Sequence, residues 1–410
     1  METYSSSDNY ILNLCIKIYR EPVPGLFSYE PISTIKSKIV LDDDACLIRK
    51  GDEIIAMKKD PFMLSYDEIY LFNVNNDIEG NFFLESSSHY ISGLKDRIWY
   101  LIKSDPDKSQ DTDTAIPIIN DDYYLCNNDV IKLGDTFFSF NEIHIPSKLN
   151  NINRVPPLTD TTKYDIHSLN KNTGPVFNFI YDAKDASQYN DIPKEEKRCK
   201  ICLFDKNDRK NNPLVNLCNC KGGLGLSHYI CLRKWMKSKL YILENKKKTV
   251  KTYYVVGFNC EICKTAYPLR FLISGIEYPF ELIKLDKPIG CNYIILESSN
   301  LLYRRDYIKS IHIIKLTNDE LVMGYHGDCD IMIFDNYIAN EHAILKYNTE
   351  KGTLLIRDLK TQYGTLVLIK KPLLIKEKKI QLQCGSAFIE ANIMKKDEYN
   401  KQQEKKKVEN

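Results

Sequence analysis

Between residues 199 and 263 the chain carries the pattern that most restricts what it can fold into. Cys199 and Cys202 form a first pair. Cys218 and Cys220 follow, then His228 and Cys231, then Cys260 and Cys263. Seven thiols and one imidazole divide into two sets of four, which is what two tetrahedral zinc ions require of a structural site. Two residues between paired cysteines let a tight turn aim both sulfurs at one metal. Buried free thiols are the plain alternative, since cysteine is commonly buried. Four ligand pairs falling together by accident make that reading poor. The expectation is two structural Zn2+ ions.

The spacing narrows the choice among zinc folds. One residue separates Cys218 from Cys220, seven separate Cys220 from His228, and Trp235 stands four positions past Cys231. On "LCNCKGGLGLSHYICLRKWMKSK" and "CEICKTAYP" the chain resembles the RING-CH (RING-variant) family of ubiquitin ligases. A PHD finger, a histone-tail reader, has the same ligand order, and Phe258 supplies the aromatic such fingers carry before the seventh ligand. The CxC pair, the seven-residue gap and Trp235 favour RING-CH.

The resemblance implies a cross-brace. Cys199, Cys202, His228 and Cys231 would hold one ion, and Cys218, Cys220, Cys260 and Cys263 the other. It implies a partner, a ubiquitin-conjugating enzyme carrying ubiquitin, and transfer to a substrate lysine with no catalytic nucleophile from the ligase. Ile201, Trp235 and Ile262 match the apolar contacts for that partner. Lys264 stands where many RING ligases place a cation facing ubiquitin and its carrier. Each has a bland reading: packing under the zinc loops for the isoleucines, core packing for Trp235, a solvated side chain for Lys264.

A chain of 410 residues has room for roughly two to four domains. A net charge of +2 gives no global attraction to nucleic acid or anionic membrane. No apolar run is long enough to span a membrane, and METYSSSDNY lacks the basic and apolar regions of a secretory signal. The other six cysteines (Cys15, Cys46, Cys126, Cys291, Cys329, Cys384) are scattered singly, which suits reduced thiols. A soluble cytoplasmic or nuclear protein is expected.

The flanks predict a mainly β, multidomain chain. Residues 1–145 read as a β-rich domain: YILNLCIKIY, EIIAMKK, IYLFNV and RIWYLIK alternate apolar and polar positions. Its end, "YYLCNNDVIKLGDTFFSF", is similar to the closing strands of a forkhead-associated (FHA) sandwich, with Asn128-Asp129 as a turn. Residues 146–197 are polar and read as linker, with FNFIYDA at 177–183 an apolar island. The zinc module occupies 198–270. Its basic 231–260 interval reads as a solvated, mobile insertion or as a surface for an acidic partner. Residues 278–396 predict a β-sandwich, and 397–410 a solvated, frayed charged tail.

On "LVMGYHGDCDIMIFDNYIANEHAILKYN" and "LLIRDLKTQYGTLVLI" residues 278–396 resemble an FHA domain, a phosphothreonine reader. Gly324, His342, Gly364 and Thr365 match its pattern. Tyr325 replaces the first arginine, Ala339 and Asn340 replace Ser-Arg, and Tyr363 replaces the asparagine. The matching residues build the scaffold. The replaced ones would have paired with a dianionic phosphate, so a degraded site is expected. Two further readings stand beside the ligase: a non-catalytic scaffold whose modules all serve interaction, and a PHD-like reader. GGLGL lacks the ending of a phosphate loop.

Overall fold

Alternation puts Leu12, Leu14, Ile16 and Ile18 in the interior and Cys15 and Lys17 outside, so Tyr10–Arg20 forms a half-buried strand. The same logic repeats along the chain and builds two β-sandwiches. The structure is a computed structural model, and it describes residues 10–20, 33–51, 53–58, 64–77, 80–86, 97–102, 118–119, 122–126, 129–144, 180–300, 308–375 and 379–408.

In one sandwich, the first sheet runs Ser33–Leu41, Tyr10–Arg20, Ala387–Lys395, Ile380–Cys384, Ile98–Ile102. Its second runs Glu53–Met57, Ala45–Lys50, Glu68–Asn76, Phe82–Glu85, Leu373–Ile375. Leu14, Phe72, Phe82, Leu382 and Ile389 fill the space between them. The other sandwich repeats this order. Its first sheet runs Ile308–Lys315, Tyr293–Asn300, Thr136–His144, Val130–Leu133, Thr365–Leu368. Its second includes Ile331–Met332, Glu320–Gly324, Ala343–Asn348, Thr353–Asp358 and Asp122–Leu125. Phe138, Phe140, Leu296 and Ile356 lie in its core. Ile98–Ile102 pairs with Thr365–Leu368 and joins the two first sheets into one.

Each sandwich is closed by a hairpin from the other half of the chain. Residues 130–144 close the sandwich built mainly from 293–368, and 380–395 close the one built from 10–102. The ranges 1–145 and 278–396 therefore do not fold as separate bodies. Periodicity reveals which face of a strand is buried but not which neighbour it pairs with. By sequence the sandwiches are nested, so they are called outer (10–102 with 373–395) and inner (118–144 with 293–368). The FHA-like closing strands expected near residue 140 do close a sandwich, the inner one. Asp129 makes the turn, its N–H donating to the Cys126 carbonyl; Asn128 lies outside the described residues. Where this hairpin turns, Asp335 accepts bonds from the Asp135 N–H (2.8 Å) and the Thr136 hydroxyl (2.9 Å).

The zinc-ligand region sits between the two parts of the inner sandwich and is larger than 198–270. Ile180–Asp185 pairs in parallel with Arg270–Ile273, which pairs with Phe280–Glu281. Residues 180–183 of the apolar island at the end of the expected linker are therefore part of this module; 146–179 lie outside the described residues. The basic 231–260 interval is not a loose insertion. Its strands Leu240–Glu244 and Val250–Val256 form a hairpin that pairs with Ile308–Lys315 and extends the inner sandwich's sheet. Lys246 meets Asp328 at 2.7 Å, Lys247 meets Asp330 at 3.3 Å and Lys251 meets Asp286 at 2.6 Å. The acidic partner for these lysines is the chain itself. The charged tail is also ordered: Lys396–Val408 is a helix, with Lys396 3.1 Å from Asp42 and Lys38 over the Tyr399 ring.

Candidate metal centre

Two turns of the same kind carry the outer ligand pairs. In the first, the Leu203 N–H donates to the Cys199 carbonyl (2.8 Å) and the Cys199 N–H to the Phe204 carbonyl (2.9 Å). In the second, Lys264 donates to Cys260 (2.9 Å) and Cys260 to Thr265 (2.8 Å). Leu203 and Lys264 take positive φ, 65° and 59°, so the chain folds back tightly after the second cysteine of each pair. Two backbone N–H groups donate to Cys199 Sγ: Ile201 from within the first turn, at 3.4 Å, and His228 from the strand Leu226–His228, at 3.3 Å.

The middle ligands are placed by a strand, a tight loop and a helix start. Asn216, at the end of strand Leu214–Asn216, accepts from the Cys218 N–H and donates to the Cys220 carbonyl, both at 3.1 Å. The glycines of GGLGL permit close approach. A Cβ on Gly223 would meet the Glu196 carbonyl at 2.3 Å, and one on Gly225 would meet Asn216 at 2.4 Å. His228 precedes the helix Tyr229–Ser238, here α1, whose first turn carries Cys231. Leu232 and Met236 bury the inner side of α1. The His228 Nε2–H donates to the Lys206 carbonyl at 2.6 Å, which leaves Nδ1 as the ligand atom.

The eight side chains gather into two clusters. Cys199, Cys202, His228 and Cys231 form one, and Cys218, Cys220, Cys260 and Cys263 the other, the ligand atoms of each lying within 4.8 Å of one another. Cys202 Sγ stands 3.2 Å from His228 Nδ1, and Cys220 Sγ 3.7 Å from Cys260 Sγ. A tetrahedral ion with Zn–S bonds of about 2.3 Å spaces its sulfurs at roughly 3.8 Å, so the sets fit zinc. Charge supports the fit. Burial opposes ionisation of Cys260, yet the N–H groups of Cys263 and Ile262 bring it down to about 5. Burial, with its sulfur neighbours, pushes Cys220 up to about 12. Burial and the Cys202 and Cys199 sulfurs do the same to Cys231. A divalent ion is what allows every sulfur of a cluster to ionise together.

Residues 199–263 match the family model of the RING-variant domain. This part of the chain is a RING-variant module. A second family model, the FHA domain, matches residues 321–388, a span that runs from the inner sandwich into the closing hairpin of the outer one. The chain is 30% identical over 104 residues to the ERAD-associated E3 ubiquitin-protein ligase DOA10 of Saccharomyces cerevisiae. That match covers 24% of this chain and 7% of the yeast protein, so the chain spans a small part of the curated relative it matches. No solved structure matches the chain. No helix among the described residues is long and apolar enough to cross a membrane.

The residues expected to meet a conjugating enzyme are exposed or half-buried in the RING-variant module. Ile201 and Ile262 are exposed, at 43% and 56%, too open for packing under the zinc loops. Trp235 is half-buried on α1, edge-on to Tyr267 with centroids 5.8 Å apart and capped by Lys239 at 4.1 Å. Lys239 also reaches Glu261, beside Ile262, at 3.6 Å. Lys264 is exposed. The sequence reading missed Asn216, Lys206, Thr265 and Lys200. Nothing in local spacing marks an asparagine or a carbonyl as support for a ligand.

In the inner sandwich the FHA-pattern residues close on one another. A Cβ on Gly324 would meet the Asn340 carbonyl at 2.1 Å. His342 Nδ1 accepts from the Ala339 N–H (3.2 Å), and Nε2–H donates to the Gly364 carbonyl (3.2 Å). Burial holds this imidazole below its usual pKa, against the pull of Asp358. Asp358 accepts from the Thr361 and Thr365 hydroxyls, both at 2.9 Å. Tyr325 is exposed and donates its N–H to the Ala339 carbonyl, Asn340 is exposed and Tyr363 half-buried. Near Cys329 stand Glu341, Asp328 and Asp330, the two aspartates paired by Lys246 and Lys247.

Proposed function

We propose that this chain is a RING-CH-type ubiquitin-protein ligase. The observation that carries the reading is the pair of interleaved four-ligand clusters, with Ile201 and Ile262 exposed and Trp235 half-buried on α1. Two structural zinc ions would occupy the clusters. Four protein ligands at each leave no open position for a metal-bound water, so the ions shape the module and do no chemistry.

The RING-variant module would seat a conjugating enzyme already charged with ubiquitin. Ile201, Ile262 and Trp235 would supply the apolar contact, and Lys264 a cation facing the joined pair. No group of the chain attacks the thioester. Its contribution is orientation, which restricts the charged enzyme to geometries in which a substrate lysine attacks. The inner sandwich acts here as a platform and not as a phosphothreonine reader. Its histidine and threonine are committed to internal bonds, and Tyr325, Ala339 and Asn340 stand where the pattern has its phosphate-pairing groups. Substrate selection would fall to other faces of the two sandwiches.

The test is single-turnover discharge of ubiquitin from a panel of charged conjugating enzymes onto free lysine, with zinc-loaded full chain. Acceleration is expected. Ile201→Ala should reduce it roughly tenfold or more while zinc content stays at two per chain, in line with loss of an interface anchor. No acceleration from fully metallated protein would favour the non-catalytic scaffold. Tight binding of a phosphothreonine peptide by the full chain would overturn the platform reading of the inner sandwich.

A further inference from the structure

One residue of the first ligand pair belongs chemically to the second centre. Lys200 lies between Cys199 and Cys202, yet its ammonium stands 3.7 Å from Cys218 Sγ and 3.5 Å from Cys260 Sγ. It also lies over the Tyr267 ring, 5.7 Å from the centroid. We propose that Lys200 is the counter-charge of the four-cysteine centre, and that through it the second centre depends on the first.

The two centres differ in charge. Three thiolates and a neutral imidazole around a divalent ion leave a net charge of −1; four thiolates leave −2. A buried charge of that size needs hydrogen-bonded compensation. Cys218 and Cys260 are buried, at 8% and 1%, and the Lys200 ammonium can donate to both sulfurs. Donation withdraws charge from the thiolates and makes them poorer targets for protons and electrophiles, the routes by which such sites lose metal.

The aim of Lys200 is set by the first centre. Its backbone N–H donates to the Leu226 carbonyl at 2.9 Å, and the turn that carries it is fixed by Cys199 and Cys202. Emptying the first centre frees that turn and withdraws the ammonium from the second. In binding free energy the coupling is reciprocal. In alkylation rate it shows at the second centre, because the ammonium faces the Cys218 and Cys260 sulfurs. The inference rests on both clusters holding zinc and is independent of the ligase reading.

The test uses full chain loaded with cadmium-113, whose four-sulfur and three-sulfur-one-nitrogen centres give separate resonances. Iodoacetamide alkylation of each cysteine, read by peptide mass spectrometry, supplies the rates. Lys200→Met should keep both metals while Cys218, Cys220, Cys260 and Cys263 alkylate roughly tenfold faster or more. Cys199, Cys202 and Cys231 should stay at the wild-type rate, and Lys200→Arg should restore protection. Loss of the second metal alone from Lys200→Met would be the same result in stronger form. Cys231→Ser, which opens the first centre, should expose the second as much as Lys200→Met does, with no further gain in the double variant. Unchanged rates at the second centre, equal acceleration at both, or loss of both metals from Lys200→Met with Lys200→Arg intact would overturn the proposal.

Discussion

The strands Val250–Val256, Ile308–Lys315 and Tyr293–Asn300 present two faces to two different interiors. On one face Val250, Ile294, Leu296 and Ile314 close the inner sandwich. On the other Tyr253, Val255, Ile295, Ile311 and Ile313 form the floor of the RING-variant module, beneath Leu232 and Met236 of α1. One interior needs only apolar packing; the other adds Cys218, Cys220, Cys260 and Cys263 to it, while Cys199, Cys202 and Cys231 pack with Leu214 and Leu226 in a smaller core beside it. Small zinc fingers replace most of a hydrophobic core with metal and are unfolded without it. This module differs, because its floor is a sheet that another body keeps in place. Bound metal would shape the turns and α1, while the sheet sets where they stand.

Chelation should break that comparison most strongly. Structural zinc contributes on the order of 10 kcal/mol in small fingers. Removing metal should abolish amide-exchange protection across 199–231 and 260–267, whereas 343–358 in the inner sandwich should stay protected. Exchange mass spectrometry on apo and reloaded protein reads both at once. Simultaneous loss in the two regions would mean that the sheet does not stand alone.

Ile356→Ala and Ile313→Ala remove the same atoms from the two interiors. Each side chain is nearly inaccessible, at 0% and 2%, and each truncation should cost about 2–5 kcal/mol. The effects should appear in different places, Ile356→Ala in the sandwich strands and Ile313→Ala in 199–285, when local exchange is followed in mild urea.

A smaller effect tests the closing hairpin of the inner sandwich. Burial raises Asp135 to about 7, with Asp335 adding to the rise and Lys132 opposing it. The folded state then holds a proton that the unfolded state has released. Stability therefore falls as pH rises from about 4 to about 7. Asp135→Asn removes this dependence, so its stability relative to wild type should improve by about 2 kcal/mol between pH 5 and pH 8. Urea midpoints at the two pH values measure it; a constant difference would contradict the assignment. The smallest effect is expected at the Lys246–Asp328 pair. Both side chains are exposed, at 87% and 66%, so Lys246→Ala should leave the urea midpoint at the wild-type value within error.

The ligand set was legible because a metal forces its donors into short, repeated spacings that survive as sequence. Gly324, His342 and Gly364 were legible for a similar reason: each answers a local demand of a turn or brace. The origin of each closing hairpin was not. VIKLGDTFFSF and KIQLQ disclose a buried face and a turn, but ladder partners lie far along the chain and leave no mark on local alternation. The lysines at 246–251 looked solvated because their aspartates lie elsewhere in sequence. Lys200 was hidden by the pair that flanks it, since a residue between two ligands looks committed to their site.

The exchanged hairpins also set a timetable for synthesis. Tyr10 pairs with Lys395 and Ile18 with Ala387, so the outer sandwich waits for strands that a ribosome makes after the other described strands of both sandwiches. The inner sandwich is complete some twenty-five residues earlier, once Thr365–Leu368 has emerged, and the RING-variant module, innermost of the three, can close before either. Maturation would proceed from the middle of the chain outward. Throughout that interval the strands at 10–85 would hold unpaired edges, the condition under which nascent chains most need a chaperone.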